Sequence, residues 1–144
     1  PQNSSPWKSK AAGLYMICTL SKHQAEKEGY TDSLMLDHEG NIAEATSANI
    51  FFKDNKDELH TPIPDSFLDG ITRKTVIDLA KSKNIKIHER KISLDELSNF
   101  KGCFITGTAA EITPVGNIVD NNFEVCDLIK DLSTSYEVLV GKNN

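Results

Sequence analysis

Apolar residues recur along the chain at spacings of three to four in some segments and of two in others. The first half begins with a helical pattern over residues 11–28, and Gly29 follows it as a stop. Residues 33–37 then predict a short strand, residues 38–41 a hairpin turn, and residues 42–52 a returning strand. Helix and strand signals therefore mix from the start of the chain.

The second half continues this mixture. Its predicted elements are a short strand at Leu59 and His60, a helix that follows Gly70, a strand within residues 84–92, a short helix from the capping-box pattern Ser93–Glu96, a strand from Cys103, and a last helix over residues 126–140. The helix after Gly70 carries an apolar face of Val76, Ile77, Leu79 and Ala80, and the last helix one that includes Leu132 and Leu139. Because strands and helices do not alternate strictly, the order predicts an α+β domain.

Composition narrows the classes of function. The chain has 144 residues, 38% hydrophobic and 26% charged, as in globular domains. A net charge of −5 without a long basic run argues against a nucleic-acid partner. No apolar run approaches the roughly 20 residues that span a bilayer, and no signal core precedes the first helix. We therefore expect no membrane partner and a cytoplasmic location.

Cysteine and histidine spacing predicts neither disulfides nor a metal site. Cys18, Cys103 and Cys126 are far apart, which is typical of reduced thiols. The four histidines form no ligand pair. A GxxxxG spacing ends at Gly107, but Thr108 and the residue after it stand where a nucleotide loop needs Lys and Ser or Thr.

Three places carry residues suited to chemistry. Lys10 has small neighbours just before the first helix, and Glu44 lies within a small and apolar run. Two segments are rich in backbone donors: Gly70–Thr72 at a predicted helix start, and Gly107–Ala109 at a predicted strand end. Taken singly, each has an ordinary interpretation: a surface lysine, a structural ion pair, and segments that bind water or a cap. Together, an amine nucleophile, a buried carboxylate and anion-binding amides match what pyridoxal phosphate requires.

Four motifs resemble one known family in the same order. They are SKAAGLYMICTLSKHQAEKEGY, LMLDHEGNIAEATSANIFF, TPIPDSFLDGITRKTVIDLA and TGTAAEITPV. The series is similar to branched-chain amino acid aminotransferases, which are class IV enzymes dependent on pyridoxal 5'-phosphate. The resemblance implies a D-amino-acid-aminotransferase-like large domain, with a curved mixed sheet (a pseudo-barrel) and flanking helices. Since the chain begins with Pro1, we also expect residues 1–144 to be the C-terminal cofactor-binding domain of a longer protein, without its N-terminal lobe.

The resemblance also assigns roles to individual residues. The cofactor-binding set that it implies is Lys10 as the Schiff-base lysine, Tyr15 at the phenolic oxygen, Glu44 at the pyridine nitrogen, Leu68 on the ring face, Ile71 and Thr72 at the phosphate through their amides, and Thr108 at the phosphate through its hydroxyl. The amides of Thr108 and Ala109 are expected to receive the substrate carboxylate. Lys10 would also move the proton, which requires a partly desolvated setting.

The implied reaction is transamination of leucine, isoleucine or valine with 2-oxoglutarate, which becomes glutamate, in a homo-oligomer. Leu14 and Ala48 depart from the polar residues that some relatives carry at these places. Two alternatives stay open. One is another enzyme of the same fold, a D-amino acid aminotransferase or an aminodeoxychorismate lyase. The other is a non-catalytic lobe that lacks the family's phosphate-binding arginine.

Overall fold

The computed structural model describes residues 8–142, which form helices and short strands in mixed order. The α-helices are α1 (Met16–Lys27), α2 (Ile71–Ser82) and α3 (Asp127–Leu139), and 3-10 helices cover Ala12–Tyr15 and Leu94–Asn99. The strands are β1 (Leu34–Leu36), β2 (Ile42–Ala45), β3 (Asn49–Lys53), β4 (Leu59–Thr61), β5 (Ile87–Glu89), β6 (Gly102–Gly107), β7 (Glu111–Pro114), β8 (Asn117–Ile118) and β9 (Asn121–Asn122).

A five-stranded sheet with the order β5-β4-β3-β6-β7 forms the centre of the fold. Its strands pair antiparallel except for β4 and β5, which run parallel. The predicted α+β class and mixed sheet are confirmed. The strands do not close into a barrel, because in residues 8–142 β5 and β7 remain the edges of an open sheet.

The central strands are buried on both faces. Phe51 and Phe104, which are paired across β3 and β6, stack with ring centroids 5.0 Å apart and pack with α2 and α3. Phe52 points to the opposite face and stacks on Phe100, 4.8 Å away. Because successive side chains of a strand alternate between faces, β3 contributes to two separate apolar clusters.

Most element boundaries follow the local signals. Gly29 ends α1 with a φ of +89°, and the Ser93–Glu96 capping box forms, although the helix that it starts is 3-10. The predicted strand 42–52 is wrong in its middle, where a turn closed by the Ala45 amide and the Ala48 carbonyl separates β2 from β3. Leu139 was expected on the buried side of the last helix but is 62% exposed. Strands β7 to β9 were not predicted.

Two further properties follow from the described residues. Cys18, Cys103 and Cys126 are free thiols, as the sequence predicts. None of the helices found between residues 8 and 142 has the length and apolar character needed to span a membrane.

A network of hydrogen-bonded polar side chains lies beside strands β4 and β5 of the sheet. His60 lies between Asp54, 3.3 Å from its Nε2, and Arg90, whose Nε donates to its Nδ1 at 3.2 Å. Arg90 continues the network with two bonds to Glu96, at 3.0 and 2.6 Å. The ring of His88 stacks on that of His60 at 4.7 Å. Since Nδ1 accepts a bond, the neutral ring carries its proton on Nε2.

We expect this arrangement to make stability fall in mild acid. Burial lowers the pKa of His60 below its ordinary 6.5; Arg90 and His88 act in the same direction, and Asp54 opposes them. A buried neutral histidine stabilises the fold fully above its unfolded pKa and loses that contribution as pH falls below it. Urea unfolding from pH 8 to 5 should therefore show a larger loss for the wild type than for His60→Gln.

The control is His38→Gln at an exposed position, which should keep the wild-type pH dependence. The ordinary pKa values of Asp54 and Glu96 are 3.8 and 4.5, and both are lowered in the fold. These two groups therefore change the free energy of unfolding at lower pH than His60 does. Equal pH dependence in the wild type and His60→Gln would contradict the prediction.

Candidate active site

The start of α2 presents backbone donors that no side chain caps. Gly70 is the residue before the helix and its backbone is extended. As a glycine it has no side chain that could cap the helix. The first amides of any helix have no intrahelical partner and carry the positive end of the helix dipole. Here they belong to Ile71 and Thr72, of which Thr72 is buried and Ile71 is 84% exposed. This end of α2 is suited to binding an anion.

Arg73 holds the start of α2 in place through buried hydrogen bonds. Its side chain is 1% exposed and donates to Asp69 and Glu89 at 2.8 Å and to the Pro62 carbonyl at 3.0 Å. Those bonds join the first turn of α2 to β5 and to the loop that follows β4. Sequence reasoning missed this role. The available signal was an arginine on the apolar side of an amphipathic helix, which requires paired partners when buried.

The end of β6 forms the second donor-rich segment. Thr106 pairs with Asn49 and Gly107 with Glu111, so the Thr108–Ala110 turn follows directly from two paired strands. A Cβ on Gly107 would lie 3.4 Å from the Ser47 carbonyl, at the near limit of ordinary contact. The Thr106 hydroxyl is buried and has no hydrogen-bond partner among the described residues. A buried hydroxyl without a partner is uncommon, and a bound ligand is one explanation.

Asn49, which sequence reasoning also missed, joins these two segments. Its Nδ2 donates to the Leu68 carbonyl at 2.9 Å, and its Oδ1 accepts from the Gly70 amide at 3.2 Å. Its backbone pairs with Thr106 on β6. The signal for it was an asparagine inside an apolar strand run, a place where that residue is disfavoured.

Glu44 lies on β2 near Tyr15 and Cys18. Burial raises the pKa of Glu44 from 4.5 to about 7. Burial, and then the Glu44 charge, raise the pKa of Tyr15 and Cys18. In residues 8–142, no hydrogen bond or ion pair compensates the Glu44 carboxylate. The interpretation of Glu44 as a structural ion pair therefore has no support in the described part of the chain.

A small cavity of about 180 Å³ lies between α1 and the turn that follows β2. Tyr15, Cys18, Lys22 and Thr46 are among its lining residues. Thr46 donates to Asp32 at 2.5 Å, which ties the turn to the segment before β1. This cavity is close to the residues that surround Glu44.

Lys10 is exposed in this chain, just before the 3-10 helix that leads into α1. The partly desolvated setting was expected beside a bound cofactor, and it stays a prediction. The structure brings Tyr15 and Glu44 together, and it brings Leu68 and Gly70 to the end of β6. No described contact joins Lys10 to either group. Thr108 and Ala109 are exposed at the turn.

A larger cavity lies elsewhere. About 460 Å³ in volume, it is lined by Asp54, His60, Arg90 and Lys101 among others. Asp54 follows β3 and Lys101 precedes β6, so this cavity is at the end of the sheet opposite Asn49 and Thr106. Volume alone thus does not select the candidate site.

Comparison with known proteins assigns the family. A model of the amino-transferase class IV family matches residues 1–118. The chain belongs to the class IV aminotransferases. The resemblance read from its four motifs is confirmed.

Relatives of this class IV aminotransferase are close along most of the chain. A probable branched-chain-amino-acid aminotransferase of Rickettsia felis is 47% identical over 116 residues, which are 81% of this chain and 40% of the relative. The branched-chain aminotransferase of Thermoproteus uzoniensis, solved with norvaline, has a TM-score of 0.89 at 33% identity, over 96% of this chain and 47% of that one.

A third relative was solved in its holo form. The branched-chain amino acid aminotransferase of Thermobaculum terrenum, in the PLP form, has a TM-score of 0.90 at 32% identity, over 97% of this chain and 47% of that one. The class IV aminotransferase described here thus spans less than half the length of these relatives.

The buried Glu44 generates a prediction that needs no ligand. A carboxyl group whose pKa is raised in the fold makes its full contribution to the free energy of unfolding below the unfolded pKa, which is 4.5 for Glu44. That contribution is lost as pH rises through the folded pKa of about 7. Glu44→Gln should therefore be more stable than the wild type above pH 7, by at most roughly 3 kcal/mol, and the gap should close near pH 4.5.

Chemical denaturation at several pH values measures this difference. Glu26→Gln, on the exposed side of α1, is a matched control because it makes the same chemical change without removing a buried carboxylate. A constant difference between Glu44→Gln and the wild type across this range would show that Glu44 is solvated in the fold.

Proposed function

We propose that this chain is the cofactor-binding part of a pyridoxal-phosphate-dependent branched-chain aminotransferase. The observation that carries the proposal is Glu44: a partly buried carboxylate without a hydrogen-bond or ion-pair partner in residues 8–142, near enough to Tyr15 for its charge to raise the pKa of that hydroxyl. An uncompensated buried charge is costly unless a ligand provides the opposite charge. The names of the relatives and their TM-scores near 0.9 support the same assignment.

The residues present fit this cofactor at two ends. A protonated pyridine nitrogen would supply the positive partner that Glu44 lacks. At the other end, the uncapped amides of Ile71 and Thr72 and the unpartnered Thr106 hydroxyl offer donors to a phosphate. When bound, pyridoxal phosphate supplies an aldehyde that condenses with amines and a ring that withdraws electrons from the substrate's α-carbon.

The chain's own residues then divide the remaining work. Glu44 would hold a positive charge at the ring nitrogen, and the Tyr15 hydroxyl would donate a hydrogen bond to the phenolic oxygen. Leu68 would pack on the ring. Lys10 would be the point of covalent attachment, and its freed amine would take the proton from the substrate's α-carbon and deliver it to the cofactor's C4′ carbon.

The turn after β6 is proposed to bind both anions. The Thr108 hydroxyl would contact the phosphate, while the amides of Thr108 and Ala109 would receive the substrate carboxylate. Their exposure in this chain is consistent with a surface that meets a ligand. Gly107 allows the backbone to pass close to Ser47 and so keeps the turn near the start of β3.

In this proposal leucine, isoleucine or valine gives up its amino group as a 2-oxo acid leaves, and 2-oxoglutarate accepts it to give glutamate. The protein is further proposed to act in the cytoplasm as a homo-oligomer, with residues 1–144 as its C-terminal cofactor-binding domain. Three free thiols fit a reducing compartment. A D-amino acid aminotransferase or aminodeoxychorismate lyase would share the same cofactor residues.

Covalent trapping tests the role of Lys10. Borohydride reduction in the presence of pyridoxal phosphate should attach cofactor to Lys10, identified by peptide mapping, and Lys10→Ala should lose that label. Lys8→Ala, two residues away, is the matched control and should retain it. A Lys10→Ala chain labelled to the same extent at one other lysine would overturn the assignment.

A coupled glutamate assay tests the reaction. Because the matched relatives are at least twice as long, we expect negligible turnover from the 144 residues alone with saturating cofactor. Turnover of leucine, isoleucine and valine should appear when the chain is joined to the N-terminal part of the Rickettsia felis relative. Full activity of the chain alone would contradict this account of the site.

Substrate arms separate the alternatives. Preference for D-alanine would favour a D-amino acid aminotransferase, and release of pyruvate from aminodeoxychorismate would favour the lyase.

In the joined protein, Glu44→Gln should reduce turnover far more than cofactor affinity, because a neutral amide holds the ring nitrogen without stabilising its positive charge. Unchanged turnover would remove Glu44 from the mechanism.

A further inference from the structure

Asn49 uses both ends of its side-chain amide on one loop. Its Nδ2 donates to the Leu68 carbonyl at 2.9 Å, and its Oδ1 accepts from the Gly70 amide at 3.2 Å. The residue is 5% exposed and opens β3, in which Ile50, Phe51 and Phe52 are buried. Burying an amide is costly unless it is hydrogen-bonded, and these two bonds provide the compensation.

The loop passes so close to Asn49 that a side chain at Gly70 would displace the Asn49 amide. A Cβ on Gly70 would lie 2.5 Å from Asn49 Oδ1, a distance that real Cβ atoms essentially never show. The φ of Gly70 is −65°, which any residue adopts, so the restriction comes from space. Gly70 is also the residue from which α2 begins, and its carbonyl accepts the first helical bond, from Lys74 at 3.1 Å.

The same asparagine faces the other donor segment. Asn49 and Thr106 are paired across β3 and β6, so their side chains lie on one face of the sheet. The Thr106 hydroxyl is 1% exposed at the residue level and has no partner in residues 8–142. Asn49 therefore bonds to the loop before α2 and is the strand partner of a residue whose buried hydroxyl lacks a hydrogen bond.

We propose that Asn49 is a positioning residue that fixes the start of α2 against the end of β6 and thereby sets the affinity for the phosphate group of the ligand. The inference rests on the proposed function for the identity of that ligand. Asn49 acts through the Leu68–Gly70 backbone and need not touch the ligand itself. Without its two bonds, the Leu68–Gly70 loop is free to move away from β3, and the amides of Ile71 and Thr72 lose their fixed direction.

A positioning role for Asn49 predicts different effects on two ligands, whereas a general loss of stability predicts the same effect on both. Pyridoxal phosphate and pyridoxal share the ring but differ in the phosphate. Loss of the tether should weaken binding of pyridoxal phosphate far more than that of pyridoxal, because Leu68 is the only proposed ring contact in the tethered loop, whereas Glu44 and Tyr15 lie on other elements. A merely structural asparagine would affect both ligands alike.

The experiment uses the 144-residue chain and two variants of Asn49. Asn49→Leu keeps a similar volume and loses both hydrogen bonds. Asn49→Asp retains the acceptor for the Gly70 amide and loses the donor to the Leu68 carbonyl. Thr61→Val is the matched control, since Thr61 is fully buried in the same sheet and donates to the Ile50 carbonyl at 2.8 Å without contacting this loop.

Two measurements are made on each protein. Hydrogen exchange of the cofactor-free chain reports protection of the Gly70 and Lys74 amides, and fluorescence titration gives dissociation constants for pyridoxal phosphate and pyridoxal. Asn49→Leu should abolish protection at Gly70 and weaken pyridoxal phosphate binding about tenfold, with pyridoxal changed less than about twofold. Thr61→Val should preserve the ratio of the two constants.

The outcomes separate this inference from the proposed function. If Asn49→Leu weakens both ligands equally, or changes their ratio no more than Thr61→Val does, the positioning role is overturned. Unchanged protection of the Gly70 amide in Asn49→Leu also overturns it, whatever binds. If the wild-type chain binds neither ligand, the proposed function of this chain fails and the phosphate part of the inference fails with it, while the exchange data still decide the tether.

Discussion

The antiparallel pairing of β3 with β6 is the constraint on which the rest of the structure depends. Its register places Phe51 opposite Phe104 in the core and, two residues away, Asn49 opposite Thr106 at the candidate site. A shift of β3 by one residue would turn Phe51 to the other face, away from Phe104, and would separate Asn49 from the loop that it holds. The packing of the core and the geometry of the site are therefore fixed by one set of backbone hydrogen bonds.

Two kinds of electrostatic environment lie at the two ends of this sheet. At the Asp54 end, acidic and basic side chains neutralise one another through His60 and Arg90. At the Asn49 end, the donors are backbone amides and a hydroxyl, and the nearby carboxylate of Glu44 is uncompensated. The first arrangement is complete within the chain. In the second, the donors and the Glu44 carboxylate have no partner within residues 8–142.

Local signals were sufficient to predict much of the fold. The stop at Gly29, the capping box at Ser93 and the helix after Gly70 each depend on residues within one or two turns of each other, and all three are present. The break between β2 and β3 was missed because small residues such as Ala48 suit a turn and a strand equally well. Strand β9 has two residues, too few to show any period.

The candidate site was predictable where chemistry requires an unusual residue, as with Glu44 in an apolar run. It was not predictable where a role depends on distant partners. Asn49 bonds to residues 19 and 21 positions later, and Arg73 to Glu89, 16 positions later. Lys10 was predicted from its motif, but its exposure in this chain depends on what surrounds it and not on its neighbours in sequence.

The uncapped start of α2 affects how stable the folded protein is when no ligand is bound. A helix whose first amides lack partners is less stable than one with a side-chain cap, by about 1 kcal/mol. An anion bound there replaces the cap, and any ligand that binds only the folded state stabilises it in proportion to its concentration. Supply of the proposed cofactor, pyridoxal phosphate, would then influence how much of the protein stays folded and escapes degradation, in addition to how much of it is loaded.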